Sequence, residues 1–328
     1  MVLVVGGAGY IGSAFARQLK AAGTPHIIYD NLEAGHPESV PYTRVIPGDT
    51  RDPGRLQRVM REHNVTTVAH FAAHIEVGEG ERDPARFYDN NTYGTLCLLQ
   101  AMREVGVDQL IFSSTAAVYG EPETVPIPED HPLRPTSVYG RTKLASEQMI
   151  RDFTRAYGLR HVIFRYFNAA GADANGGHGE AHQPESHLIP LCIQAALGQR
   201  PALKVFGDDF PTPDGTCVRD YLHTADLASA HIRAVAHLQE GGESATYNLG
   251  TGRGHSVREV IATVGDVLGT PVPHEDAPRR AGDPAQLVAS SASIQADWGW
   301  TSAHSDLTEI VKSAAKWHRT HPAGYKEG

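Results

Sequence analysis

Apolar positions in the first half of the chain follow two alternating patterns. Runs rich in Val, Ile and aromatic residues at 2–5, 26–30, 65–71, 109–114 and 161–167 are unbroken enough to be strands buried on both faces. Between them, apolar residues recur at helical spacing over 11–22, 54–63, 87–105 and 139–157. Strand, helix, strand at this tempo predicts an α/β fold of the Rossmann type, a doubly wound parallel sheet with right-handed crossovers. After Asn168 the regularity stops. A stretch rich in Gly, Pro and Asn at 174–184 reads as a loop. Shorter elements follow: helices at 188–197, 225–238, 257–268 and 307–318, and a strand at 246–249. The pattern divides the chain into 1–170, a dinucleotide-binding domain, and 171–328, a smaller mixed α/β lobe, with an approximate boundary that the chain may cross again. Ligands of such sheets bind beyond the carboxyl ends of the strands, where a second lobe would cap them.

The 328 residues suit two lobes at roughly 150 residues each. With 41% hydrophobic and 20% charged residues the composition is that of an ordinary globular protein. A net charge of −9 without a basic stripe argues against a nucleic-acid partner. No apolar run reaches the ~18 residues of a membrane span. The amino-terminal MVLVVGGAGYIG lacks the cationic lead-in of a signal peptide. Cys97, Cys192 and Cys217 have neither disulfide nor metal spacing, which fits reduced thiols and a cytoplasmic location.

Gly7, Gly9 and Gly12 spell G-x-G-x-x-G directly between a strand and a helix, and Gly6 extends the spacing. Such a turn lets the backbone approach a pyrophosphate, which then meets the free N–H groups of the helix start. Asp30 ends the second strand near the ~20-residue separation at which an acid bonds the adenosine ribose. A carboxylate there repels a 2′-phosphate, and Asn31 brings no cation, so the expected cofactor is NAD. Asp49, in Gly48-Asp49-Thr50, is placed to hold the adenine amino group or to cap the next helix before Pro53.

Tyr139-Gly-Arg-Thr-Lys143 puts a phenol and an ammonium four residues apart on one helix face. A phenol needs its pKa lowered by about 3 units, roughly 4 kcal/mol, to act as a base at neutral pH. An adjacent ammonium and a positive nicotinamide are expected to supply that. Thr115, at the strand end Ser113-Ser114-Thr115, adds a hydroxyl able to relay a substrate proton to Tyr139.

With these residues in place a resemblance is plain. GGAGYIG, DNL, GD, HFAA, YDNN, FSSTAAVYG, YGRTKLASE, RYFNAAGA, HLIP, VFGDDFPTPDGTCVRDYLH and PRRAGDPA occur in order along nearly the whole chain. Together they resemble the UDP-glucose (UDP-galactose) 4-epimerases of the extended short-chain dehydrogenase/reductases. The resemblance implies transient oxidation of sugar carbon 4 by tightly bound NAD, with Tyr139, Lys143 and Thr115 catalytic. It implies cofactor contacts at Tyr10, Ile11, Thr50, Phe71, Ala72, Ala73, Asn90, Ser113, Tyr166 and Phe167. It implies a UDP-glucose/UDP-galactose site lined by Asn168, His187, Leu188, Phe206, Arg219, Tyr221, Arg280, Asp283 and Leu287, besides Thr115 and Tyr139. Arg219 and Arg280 also suit a diphosphate on charge alone. A homodimer, paired through the helices at 87–102 and 139–157, is implied as well.

Four departures stand out. Thr115 replaces the Ser of many relatives and keeps the hydroxyl. Ile75 stands where some have Lys. His187 replaces a common Asn. Leu287 occupies the place of a bulky Tyr, from which activity on the N-acetylhexosamine pair is expected. His70 with His74, and His178, His182 and His187, lack zinc spacing, so no metal is expected. A 4,6-dehydratase would need carboxylates where Ala116-Ala117 stand. A UDP-glucuronate-type epimerase or decarboxylase would need a cation for the substrate carboxylate. A redox sensor would lack the Tyr or the Lys.

Overall fold

The structure is a computed structural model that describes residues 1–280 and 282–325. The chain forms two compact units. The first comprises Met1–Gly120, Pro132–Tyr166 and Ala228–Tyr247. Its elements are β1 (Val2–Val5), α1 (Tyr10–Ala21), β2 (His26–Asp30), β3 (Val45–Pro47), α2 (Pro53–Glu62), β4 (Thr67–His70), α3 (Val77–Arg82) and α4 (Pro84–Phe87). A π-helical turn, Tyr88–Tyr93, leads into α5 (Gly94–Val105), β5 (Gln109–Thr115), α6 (Val138–Tyr157) and β6 (Arg160–Tyr166).

The second unit comprises Glu121–His131, Phe167–Leu227 and the residues from Asn248 on. It contains β7 (Asn168–Ala170), α7 (Leu188–Ala196), β8 (Leu203–Phe206), β9 (Val218–Arg219) and β10 (Tyr221–His223). Two elements pass between the units: α8 (Thr224–Gln239) and β11 (Ala245–Leu249). The rest are β12 (His255–Ser256), α9 (Val257–Leu268), β13 (His274–Ala277), β14 (Gln286–Leu287), α10 (Ala292–Trp298) and α11 (Leu307–Thr320). The division therefore differs from a single cut at 170. The chain leaves the first unit at Tyr166 and returns for 228–247, because β11 completes the sheet beside β6.

That sheet has the order β11-β6-β5-β4-β1-β2-β3, and every pair from β6 to β3 is parallel. This is the expected doubly wound arrangement. The unbroken apolar runs are explained by burial on both faces: all four residues of β1 are buried, as are all four of β4. Leu3, Val68, Leu110 and Ile163 of the strands pack with Leu56, Leu98, Met102 and Ile150 of the helices. The second unit has its own core, in which Ile193, Val205, Val260, Val264, Ile310 and Val311 meet.

The helix expected over 87–105 is interrupted by the π-turn. There the carbonyl of Asn91 accepts from two hydroxyls, Thr95 Oγ1 at 2.6 Å and Ser146 Oγ at 3.2 Å. Such insertions are commonly found at functional sites. The strands β7, β9, β10, β12 and β14, of two or three residues each, are too brief to leave a readable period.

Candidate active site

The glycine loop follows β1. Gly6 has φ +77°, and a Cβ there would lie 2.4 Å from the backbone N of Ala72. A Cβ on Gly12 would lie 2.3 Å from Gly6 O, so α1 reaches the loop only without a side chain there. Gly9, the N-cap of α1, gives the helix start no side-chain cap, and the first turn carries no acid. A Cβ on Gly9 would meet only Gly6 O, at 3.4 Å. Tyr10 and Ile11 open the helix, partly exposed. This leaves a backbone cradle at a helix N-terminus, the geometry that receives a phosphate.

Asp30 is buried at the end of β2. Its carboxylate accepts from Ala8 N and Leu32 N, each at 2.9 Å, and so ties β2 to the loop. Burial raises its pKa, opposed by those two N–H groups. Asp49 does not cap α2; Asp52 does, accepting from Arg55 N. Asp49 instead pairs with Arg51, whose hydrogen bond holds its carboxyl down at about 2, and accepts from Asn31 Nδ2 at 3.4 Å. Thr50 is buried against Gly94. Phe71 and Ala72 donate their backbone N–H to Val5 O, which brings them and Ala73 beside the glycine loop. Asn90 Nδ2 donates to Asn91 Oδ1 at 3.0 Å. Asn91, overlooked in the sequence, is buried and joins three segments. Its Oδ1 accepts from His74 N, and its Nδ2 donates to His74 O and to Thr142 Oγ1.

The carboxyl ends of β5 and β6 and the start of α6 gather the expected catalytic groups. Ser137 caps α6, and Glu81 Oε1 accepts from Val138 N at 2.7 Å, so the first turn, which carries Tyr139, is pinned twice. Tyr139 lies close enough to Thr115 for the hydroxyl to act on its phenol. Thr115 Oγ1 accepts from Ala117 N at 3.1 Å. Lys143 is buried, donates to Ser113 O at 2.8 Å and lies over the Phe112 ring at 4.9 Å. Tyr166 is buried, its hydroxyl 2.5 Å from His231 Nε2.

Without the positive nicotinamide the electrostatics of the pair are dominated by desolvation. Burial pushes the Tyr139 phenol up to about 12, against the Thr115 hydroxyl and with help from Glu76; Lys143 does not bring it down. Burial also lowers Lys143, to about 7, while Glu147 works the other way.

Glu147 and Arg165, also overlooked, form a buried pair beneath this site. Arg165 donates through Nε at 3.0 Å and Nη2 at 2.8 Å, and its Nη1 donates to Tyr119 Oη. The signals were present: Glu147 lies four residues after Lys143 on the same helix face, and Arg165 is a cation inside a buried strand.

In the second unit, Arg219 on β9 lies in register with Leu287 on β14, and Nη1 donates to Val218 O. Arg280 donates to Asp283 at 2.9 Å and lies 4.8 Å over the Phe206 ring. Arg219, Asp283 and Arg280 all act on the Cys217 thiol, and Arg219 acts on Tyr221, so these five sit within electrostatic reach of one another. Asn168 pairs with Tyr221 across β7 and β10, and Phe167 N donates to Leu249 O. Between Arg219 and Tyr221, the buried Asp220 accepts from Thr251 N and Oγ1, Gly252 N and Ala289 N, locking β9 to its neighbours.

His187 and Leu188 begin α7, where His187 approaches Glu180 and Glu185. His182 joins that group, whereas His70 and His74 bond to different partners, Thr95 Oγ1 and, through the backbone N–H, Asn91.

The uncapped helix start, the open face at Gly9 and the carboxylate of Asp30 fit a dinucleotide. The family described as NAD dependent epimerase/dehydratase matches residues 2–250. The chain is 50% identical to the UDP-glucose 4-epimerase of Halalkalibacterium halodurans, over 99% of this chain and 97% of that one. Its fold is similar to the crystal structure of UDP-glucose 4-epimerase from Brucella ovis in complex with NAD: TM-score 0.94, 48% identity, 96% of this chain and 97% of that one. It is also similar to the enzyme from Bifidobacterium longum in complex with NAD+ and UDP: TM-score 0.94, 38% identity, 99% of both chains.

Proposed function

The chain belongs to the NAD-dependent epimerase/dehydratase family, and we infer that it interconverts UDP-galactose and UDP-glucose by inverting carbon 4 of the hexose. It is an NAD-dependent epimerase; the glycine loop and Asp30 would hold NAD, which would supply a reversible hydride acceptor for carbon 4. The observation that carries the reading is the gathering of Thr115, Tyr139 and the buried Lys143 where the carboxyl end of β5 meets the start of α6, in a chain half identical to such an enzyme over nearly its full length.

Tyr139 Oη removes and restores the proton of the 4-hydroxyl, and Thr115 Oγ1 relays it. With the phenol at about 12 without cofactor, proton removal at neutral pH needs positive charge brought to Oη, which the oxidised ring carries. Lys143 holds the β5 end through Ser113 O and thereby keeps Thr115 in place. Arg219 and Arg280 anchor the diphosphate, with Asp283 orienting Arg280. Anchoring at the nucleotide leaves the sugar free to turn over between the two hydride transfers.

A cytoplasmic homodimer belongs to the same reading. Tyr88, Tyr93 and Tyr157, on the π-turn and α6, are large apolar residues left exposed. Among the described residues no helix is long and apolar enough to cross a membrane. A monomeric mass by light scattering removes the dimer.

The reaction is tested by incubating the purified protein with UDP-galactose in deuterated water, without added NAD, and following the products by NMR. UDP-glucose free of deuterium at carbon 4 is expected. Deuterium at that carbon, or no turnover, overturns the reading.

A further inference from the structure

The loop between β7 and α7 brings four donors to one point. Glu180, His182, Glu185 and His187 each present one ligand atom, and these atoms all lie within 4.8 Å of one another. Glu180 Oε1 is 2.9 Å from His182 Nδ1 and 2.6 Å from His187 Nδ1, and Glu185 Oε1 is 3.4 Å from His187 Nδ1. The side chains of Glu180 and Glu185 are only 5% and 6% exposed. Two carboxylates buried together are stable only with matching positive charge.

A second observation concerns His187 itself. Its Nδ1 is buried and close to both carboxylates, yet it is aligned for a hydrogen bond with neither. A ring nitrogen in that position has charged oxygens beside it and no directed partner. The surroundings also hold the acids in place. Trp317 Nε1 donates to the backbone O of Glu180 at 2.8 Å, and Glu185 Oε1 accepts from Ser186 N and His187 N. Such outer contacts are what orient metal ligands.

We propose that Glu180, His182, Glu185 and His187 form a site for one divalent transition-metal cation of the zinc and cobalt type. Two imidazoles and two carboxylates make a mixed nitrogen–oxygen set, which suits these ions better than Mg²⁺ or Ca²⁺, whose sites are built from oxygen. Bonds of about 2.0–2.1 Å set tetrahedral ligand atoms roughly 3.3 Å apart. The present separations bracket that figure, so small side-chain movements complete the shell. The cation takes the place of the proton between His182 Nδ1 and Glu180 Oε1, and its charge balances the two carboxylates. The proposal does not rest on the epimerase reading, and its test reads metal alone.

The full chain is stripped with chelator, dialysed and titrated with Co²⁺, following the visible bands of four-coordinate cobalt and the metal content by mass spectrometry. One ion per chain is expected, displaced by Zn²⁺, with Zn²⁺ raising the Tm. His182→Gln and Glu185→Gln, each with a metal-free Tm near that of the parent, should weaken Co²⁺ binding about 100-fold; His274→Ala should not. No Co²⁺ spectrum and no Zn²⁺ shift in Tm overturns the site. So does uptake that survives both ligand substitutions. If either variant fails to fold, the parent's stoichiometry and Tm shift decide alone.

Discussion

Ser114 Oγ donates to Glu147 Oε1 at 2.6 Å, so the strand end carrying Thr115 is fastened to the helix carrying Tyr139 and Lys143. Both partners are buried, and the same carboxylate accepts from Arg165 and Arg151. Glu147 is thus a positioning residue whose charge also supports the Lys143 ammonium.

Glu147→Gln should destabilise the chain by about 3 kcal/mol, since it leaves buried Arg165 without its anion. It should also lower the pKa of Lys143 further below about 7. The group is cationic only below its pKa, so the alkaline fall of kcat should move down by about one pH unit. A kcat profile whose alkaline limb stays put while stability drops removes the electrostatic role and leaves a purely structural one.

Thr115→Val and Thr115→Ser separate relay from packing. The valine variant loses the hydroxyl that acts on the Tyr139 phenol, and its kcat should fall by about 10²-fold or more. The serine variant should retain most activity. Tyr139→Phe should lose at least as much while still binding UDP, checked by calorimetry; full activity in that variant refutes the base assignment.

Acid should weaken the fold through two buried histidines. Burial lowers His70 to about 3 and His161 to about 4, from the usual 6.5. Both are neutral in the folded chain near neutral pH, whereas the unfolded chain protonates them below about 6.5. Their contribution is therefore whole above about pH 6.5 and is lost as pH falls towards 4 and then 3. Each contributes a slope of about 1.4 kcal/mol per pH unit in that window. Urea unfolding between pH 7 and 5 should show it, and His161→Gln should remove about one proton's worth of slope.

Gly12→Ala and Gly9→Ala should behave differently. At Gly12 the new methyl meets Gly6 O at 2.3 Å, which should cost about 1–3 kcal/mol in strain. At Gly9 it meets only one atom, at 3.4 Å, so stability should hold while bound NAD falls. The ratio of absorbance at 260 nm to that at 280 nm, read with the Tm, distinguishes them. Equal loss of Tm in both sinks the open-cradle account.

Leu287 lies in register with Arg219 and is half-buried. If it leaves room beside the sugar, Leu287→Tyr should reduce turnover of UDP-N-acetylglucosamine more than that of UDP-glucose, measured by NMR in parallel. No turnover of the N-acetyl sugar by the parent chain removes the idea.

The sheet, its glycine turn and the Tyr139–Lys143 pair were legible because each rests on local spacing: unbroken apolar runs, a strand-to-helix turn, and one helix face. What escaped depends on segments far apart in sequence. Asn91 joins His74 to Thr142, Glu147 joins Ser114 to Arg165, and Asp220 reaches Thr251 and Ala289. The meeting of His182 and His187 with Glu180 and Glu185 is set by loop geometry. Without cofactor the pKa of Tyr139 is set first by burial, which a motif does not show.

The return of residues 228–247 to the first unit has a consequence during synthesis on the ribosome. Until β11 emerges, β6 is an unprotected sheet margin rich in Val, Ile and Phe, with its peptide groups free to recruit a strand from another nascent chain. The dinucleotide half of this protein cannot mature as an autonomous amino-terminal module, since its last strand is translated only after nearly half of the other unit.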